Sequence, residues 1–161
     1  MPVIATIGVY GFDAETFRAA LDAAGVRLLL DVRQRRGVRG PQYAWANSQR
    51  LQAMLREAGI AYRHHPELAP TTELRRLQYA ADAREGVGKR SRARISDGYR
   101  DGYVAQRLDH VDLGELVAEL PARGRAALMC VEADPEACHR SLIAQRLAVR
   151  HGFEVVDLRP A

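Results

Sequence analysis

Ala126-Ala-Leu-Met-Cys130-Val-Glu132-Ala-Asp134-Pro135-Glu-Ala-Cys138-His139-Arg140 is the stretch whose reading decides the fold. The apolar run Ala126 to Val131 is too short for a helix and follows Arg123-Gly124-Arg125, so it reads as a buried strand. Asp134-Pro135 breaks the extended run, with Asp134 as N-cap and Pro135 at a first helical position. From Cys138 onward Leu142, Ile143, Arg146, Leu147 and Val149 recur at helical spacing until Gly152. Cys130, Glu132, Cys138, His139 and Arg140 therefore gather at one strand-to-helix turn. In an open α/β sheet that is where ligands collect, beyond the carboxyl ends of strands.

Working outward, the same alternation recurs. Val3 to Val9 is a first strand, and Asp13 caps a helix with Phe17, Ala20, Leu21 and Ala24 on one face, closed by Gly25. Val26 to Val32 is a strand buried on both faces, giving a parallel β-α-β unit. Asn47 or Ser48 caps a helix carrying Leu51, Met54, Leu55 and Ala58, and Ile60 to His64 is a short strand. Thr71 or Thr72 opens a helix whose Leu74, Leu77, Gln78 and Ala81 face inward. A helical stretch around Tyr99 and Tyr103 and another over Asp112 to Leu120 precede the central strand, and Glu154 to Leu158 closes the chain. The expected fold is a single domain over residues 1–161: a three-layer α/β/α, Rossmann-like arrangement around a mainly parallel sheet.

Composition narrows the function classes. A hydrophobic content of 47% sustains a packed core, which argues against disorder, and the net charge of +4 favours anionic partners. Lys89 is the only lysine, so the positive charge is almost all arginine, the side chain suited to paired contacts with phosphate or carboxylate. No segment is long and apolar enough to span a membrane. Met-Pro-Val-Ile-Ala lacks the basic n-region of a signal peptide, so a cytoplasmic protein with reduced thiols is expected. Two arginine-rich segments stand out. One is the glycine-punctuated loop over 33–39, with Arg33, Arg35, Arg36 and Arg39. The other, around 84–100, includes Lys89, Arg90 and Arg92, and reads as a basic mobile segment.

With these residues in place, the chain resembles the domain of unknown function 488 family of small bacterial and archaeal proteins. The matching pieces are Thr6-Ile7-Gly8, Leu30-Asp31-Val32-Arg33, Gly59-Ile60-Ala61-Tyr62 leading to Glu67-Leu68, and Cys130-Val-Glu132 with Cys138-His139-Arg140. Gln34-Arg35-Arg36-Gly37 and Leu68-Ala69-Pro70-Thr71 resemble one subgroup, whereas Val9-Tyr10 and Ala69-Pro70 replace the His-Ser and Gly-Gly of the common version. The resemblance implies a compact α/β fold with a site built from these motifs, and no particular reaction.

The site residues each admit more than one role. Cys138, His139 and Glu132 are the catalytic candidates: a thiol acidified at a helix N-terminus, its neighbouring imidazole, and a general base. The same turn, with Arg140, also suits phosphate or carboxylate binding, or it is a buried structural turn. Asp31 and Arg33 leave one face of a strand and serve either as ribose and anion contacts or as an internal ion pair. Cys130 and His64 complete the candidate ligand site. A metal would need Cys130, Cys138, His139 and His64 or His65, but the spacing follows no familiar zinc pattern. Adjacent Cys138 and His139 rarely face one ion, so no metal and no cofactor are expected. A Cys130–Cys138 disulfide is disfavoured in a reducing compartment. Two functions follow: a small anionic ligand, nucleotide-like, held at the Cys138-His139-Arg140 turn, whether as enzyme or binder; or a nucleic-acid-binding module using Arg35, Arg36, Arg39, Lys89, Arg90 and Arg92.

Overall fold

In a computed structural model that describes residues 2–161, strands β1 (Val3–Ile7), β2 (Val26–Asp31), β3 (Ala61–His64), β4 (Arg125–Met129) and β5 (Glu154–Leu158) form one sheet in the order β3-β2-β4-β1-β5. Every pairing is parallel. The central position of β4 explains its composition: both faces are covered, so Ala126, Ala127, Leu128 and Met129 are all buried. Their side chains alternate between two cores. Ala126, Leu128 and Cys130 join Ile4, Leu28 and Leu30 on one face, and Ala127 and Met129 join Ala5, Ile7 and Leu29 on the other.

The helices divide accordingly. α1 (Ala14–Ala23) and α2 (Ser48–Glu57) place Phe17, Leu21, Leu51 and Leu55 on the second face. α3 (Thr72–Glu85), α4 (Asp97–Gln106), α5 (Leu113–Ala118) and α6 (Arg140–His151) place Leu74, Tyr103, Leu116, Ile143 and Leu147 on the first. Each fully buried leucine or isoleucine contributes roughly 1.5–3 kcal/mol relative to exposure. Local signals fix the ends. Asp13 and Thr16 form a reciprocal capping box on α1, the Thr71 hydroxyl accepts from Leu74 N, and Gly152 ends α6 in the left-handed conformation at φ 73°.

Because α1 and α2 leave β1 and β2 toward one face while α6 leaves β4 toward the other, β4 is flanked on both sides by strands whose connections diverge. The chain thus opens a crevice beyond the carboxyl ends of β1, β2 and β4, the place where open α/β sheets take ligands.

Three expectations change. β4 ends at Met129 and β2 at Asp31, because Cys130 to Glu132 and Arg33 already turn away to line the crevice. The helix after β4 begins at Arg140 rather than Cys138: Asp134-Pro135 opens only a 3-10 turn, Pro135–Ala137, and Cys138 is extended. Leu77 is 41% exposed, while Gln78 and Asp82 take the inward face of α3. The segment between α3 and α4 is pinned at two points. Arg92 is buried, and Ile95 N donates to Glu136 O at 2.9 Å.

Candidate functional site

The crevice is a cleft of about 920 Å³. Its wall comes from the loop after β1 (Tyr10), the loop after β2 (Arg33 to Arg39), α3 (Arg75, Gln78, Tyr79), the segment Gly88–Arg92, and the turn after β4 (Cys130, Val131, Glu132 and His139). The two arginine-rich stretches that read as a separate nucleic-acid surface are therefore walls of the same cleft as the cysteine-histidine turn. Arg90 joins them. Its guanidinium lies 5.2 Å from the Tyr10 ring and 5.4 Å from the Tyr43 ring, and it donates to Arg39 O at 3.0 Å.

Charge is arranged in two tiers. At the base, Arg33 forms a fork with Asp31: Nε to Oδ1 and Nη2 to Oδ2, both 2.9 Å, while Nη1 donates to Ala46 O at 2.9 Å. Tyr62 Oη adds a bond to Asp31 Oδ2 at 2.6 Å. Of the two roles open to this pair, the geometry is that of an internal ion pair fixing the strand end. Arg92 reaches Asp82 at 2.8 Å, Glu132 at 2.6 Å and Ala137 O at 3.1 Å, and Gln78 supports Asp82 at 2.8 Å. Glu132 thus has one carboxylate oxygen on Arg92 and the other 3.5 Å from Cys130 Sγ. At the rim, Arg35, Arg39, Arg75, Lys89 and Arg90 line the cleft, and among the described residues none of them forms an ion pair with a carboxylate. Glu132 is the only acidic residue of the lining.

Arg140 is fully buried and does not face the cleft. Its Nη1 donates to Glu132 O at 2.7 Å and lies 3.2 Å from Cys130 Sγ, and Nη2 donates to Ala133 O at 3.1 Å. Burial pushes its guanidinium down to about 10, so it stays charged at neutral pH. It is the tie that folds the turn rather than a side chain extended toward an anion. Gly8 serves the same tie, because a Cβ there would stand 1.8 Å from Glu132 O.

The loop after the 3-10 turn folds Cys138 back onto the end of β4, so the sulfurs of Cys130 and Cys138 meet within one core, yet their Cα atoms stand 7.2 Å apart, wider than the roughly 4.4–6.8 Å that a disulfide usually spans. Cys138 precedes α6 by two residues, the helix itself opening at Arg140. His139 lines the cleft and is buried, with Nε2 2.8 Å from Val32 O and Nδ1 3.6 Å from Cys138 Sγ. Burial lowers its pKa to about 4, so the ring is neutral.

Of the candidate residues, then, Arg33, Arg35, Arg39, Lys89, Arg90, Arg92, Cys130, Glu132 and His139 share the cleft. Asp31, Arg36, His64, Cys138 and Arg140 do not line it. His64 instead holds the Arg33 carbonyl through Nε2 at 2.9 Å, and Arg36 lies 3.4 Å from Tyr62 Oη. Sequence reasoning missed Arg75 and Tyr79 on α3 and Tyr10 after β1. The available signal was the polar pair Gln78 and Asp82 on the same face as Leu74 and Ala81, which marks a helix packed against a polar site.

No curated protein and no solved structure matches the chain. A family model described as "Domain of unknown function DUF488" matches residues 13–147, a span holding the arginine fork, the basic wall and the cysteine-histidine turn, and the chain belongs to that family.

Proposed function

We propose that the cleft binds a phosphate-bearing, nucleotide-like ligand. The observation that carries this reading is the rim: five cations without carboxylate partners on one cleft whose lining has a single acid, Glu132. Such a rim attracts anions without first breaking an internal ion pair. Tyr10 and Tyr79 offer ring faces beside the cations, which suits an aromatic base next to a phosphate. The cleft also lies where strand connections diverge, the region used by dinucleotide-binding folds. Within it, His139 and Glu132 are the groups able to meet a reacting ligand, with His139 neutral and Glu132 held by Arg92.

The same rim supports a second reading, a single-stranded nucleic-acid end laid along both arginine-rich walls. Titrating the full chain with ATP and with a 5′-phosphorylated oligothymidine at several salt concentrations separates the two. Five phosphate contacts to a single strand give a slope of about −3.5 in log affinity against log salt, whereas a mononucleotide responds weakly. Arg35→Ser with Arg39→Ser should weaken either ligand at least about tenfold, the effect of losing roughly 1.4 kcal/mol. Unchanged binding in that double variant, or no binding of either probe, overturns the proposal.

A further inference from the structure

Three ligand atoms converge just beneath the floor of the cleft, which Cys130 and His139 line and Cys138 backs. The sulfurs of Cys130 and Cys138 and a ring nitrogen of His139 lie within 4.8 Å of one another, and all three residues are buried. The Val32 carbonyl, 2.8 Å from His139 Nε2, can only accept a hydrogen bond. Nε2 therefore carries the proton, and Nδ1 keeps a free lone pair. Nδ1 is the nitrogen 3.6 Å from Cys138 Sγ. A tetrahedral zinc ion, about 2.3 Å from sulfur and about 2.0 Å from nitrogen, needs an S···N edge of about 3.5 Å. That edge is already present.

Adjacent residues rarely share an ion, yet the backbone here changes region between the two. Cys138 is extended (φ −141°, ψ 151°) and His139 helical (φ −64°, ψ −18°), which brings both side chains to one point. The Cα atoms of Cys130 and Cys138 are 7.2 Å apart. Disulfides usually span about 4.4–6.8 Å, so the frame has room for two sulfurs parted around an ion. The surroundings complete the arrangement, with a backbone carbonyl orienting His139 and the Arg140 guanidinium 3.2 Å from Cys130 Sγ, where it favours a thiolate.

We propose that in the dithiol form Cys130, Cys138 and His139 bind one thiophilic divalent cation, zinc being the natural fit, with the fourth position facing the cleft. Cys130 and His139 both line that cleft. The set is that of zinc sites with three protein ligands and one open position. Where the two sulfurs are bonded, reduction adds two electrons and two protons to that disulfide. A phosphine supplies the electrons and ends as its oxide, with oxygen taken from water. Metal binding then releases both thiol protons, and two thiolates balance the dication. The inference does not depend on the anionic ligand, which is absent from its test.

The full chain, reduced with a phosphine and freed of it without air, is titrated with cobalt(II). One equivalent should produce thiolate-to-metal charge transfer and the intense visible bands of tetrahedral cobalt, and zinc should bleach them. Cys130→Ser and Cys138→Ser should each weaken binding by more than about a hundredfold, beyond the 10–100-fold of an outer-shell loss. Because a serine variant can fail to fold, wild-type protein gives an independent readout: one equivalent of zinc should protect both cysteines from iodoacetamide, read as intact mass. No tetrahedral spectrum, a spectrum unchanged in the double serine variant, or alkylation of both cysteines in the presence of zinc overturns the proposal.

Discussion

Replacing Arg140 by alanine should unfold the protein more readily, because the side chain holds the turn rather than a ligand. Arg140→Ala removes donors from Glu132 O at 2.7 Å and Ala133 O at 3.1 Å, and a cation from Cys130 Sγ at 3.2 Å. A buried carbonyl left without a donor costs about 1–3 kcal/mol, and the vacated stem adds a cavity in a residue that is 0% exposed. Two effects offset this: the charge no longer has to be desolvated, and Arg140 Nε, buried without a partner, disappears. Two carbonyls at about 1–3 kcal/mol each, less these offsets, leave a loss of about 3 kcal/mol. In a chain of 161 residues, each kcal/mol lowers the melting temperature by about 2–4 °C, so a fall of about 6–12 °C is expected. Urea unfolding followed by circular dichroism, with the redox state held fixed, measures the change directly. Arg140→Lys keeps the charge but not the fork, and should fall between the two. A loss under about 1 kcal/mol at unchanged m-value would refute the reasoning and return Arg140 to the role of an anion contact.

Gly8→Ala attacks the same tie from the other side, since its Cβ would stand 1.8 Å from Glu132 O; urea unfolding should show a loss of at least about 1–3 kcal/mol, and a neutral result would mean that the β1 and β4 turns separate freely. His139, held at about 4 when folded against about 6.5 when unfolded, makes stability full above pH 6.5 and progressively lost as pH falls toward 4. The loss is about 3 kcal/mol, and His139→Gln should flatten that part of a pH series of unfolding curves. Arg92→Met leaves Asp82 and Glu132 buried without their cation, so a loss of about 3–5 kcal/mol is expected in urea unfolding; Asp82→Asn in the same chain removes one of the two unpaired charges and keeps an oxygen for Gln78, so it should recover part of that loss.

The sheet was legible because burial on both faces leaves an unmistakable trace: Leu28-Leu29-Leu30 and Ala126 to Met129 are apolar without alternation, and capping residues separate the helices. The crevice after β4 was legible for the same reason, since strand and helix signals bracket it. What escaped was side-chain direction within the turn. Cys138 read as helical because the apolar period of α6 runs smoothly back to it, yet Pro135 starts only a 3-10 turn that aims Cys138 at Cys130, and Arg140, which does open α6, turns its side chain to two carbonyls. The contact between the 33–39 and 84–100 stretches was equally hidden. It rests on Arg90 donating to Arg39 O while lying beside Tyr10 and Tyr43, an encounter across the fold that no local spacing encodes.

The two tiers of charge carry a consequence for how the cleft works. At the base, Arg33 pairs with Asp31, Arg92 serves both Asp82 and Glu132, Arg140 is held by backbone carbonyls, and His139 is neutral. The base therefore contributes little net field, and its groups are fixed by bonds to one another. The rim cations face no such partner, so the attraction felt by an anion comes from Arg35, Arg39, Arg75, Lys89 and Arg90. On the proposed reading, recognition and stability fall to different residues. Substitutions at the rim should change affinity while leaving unfolding curves within about 0.5 kcal/mol of wild type, the usual range for surface positions, whereas those at the base should act first on stability. On the proposed reading, a ligand held at the rim meets a base whose His139 and Glu132 are already oriented by their bonds to Val32 O and Arg92.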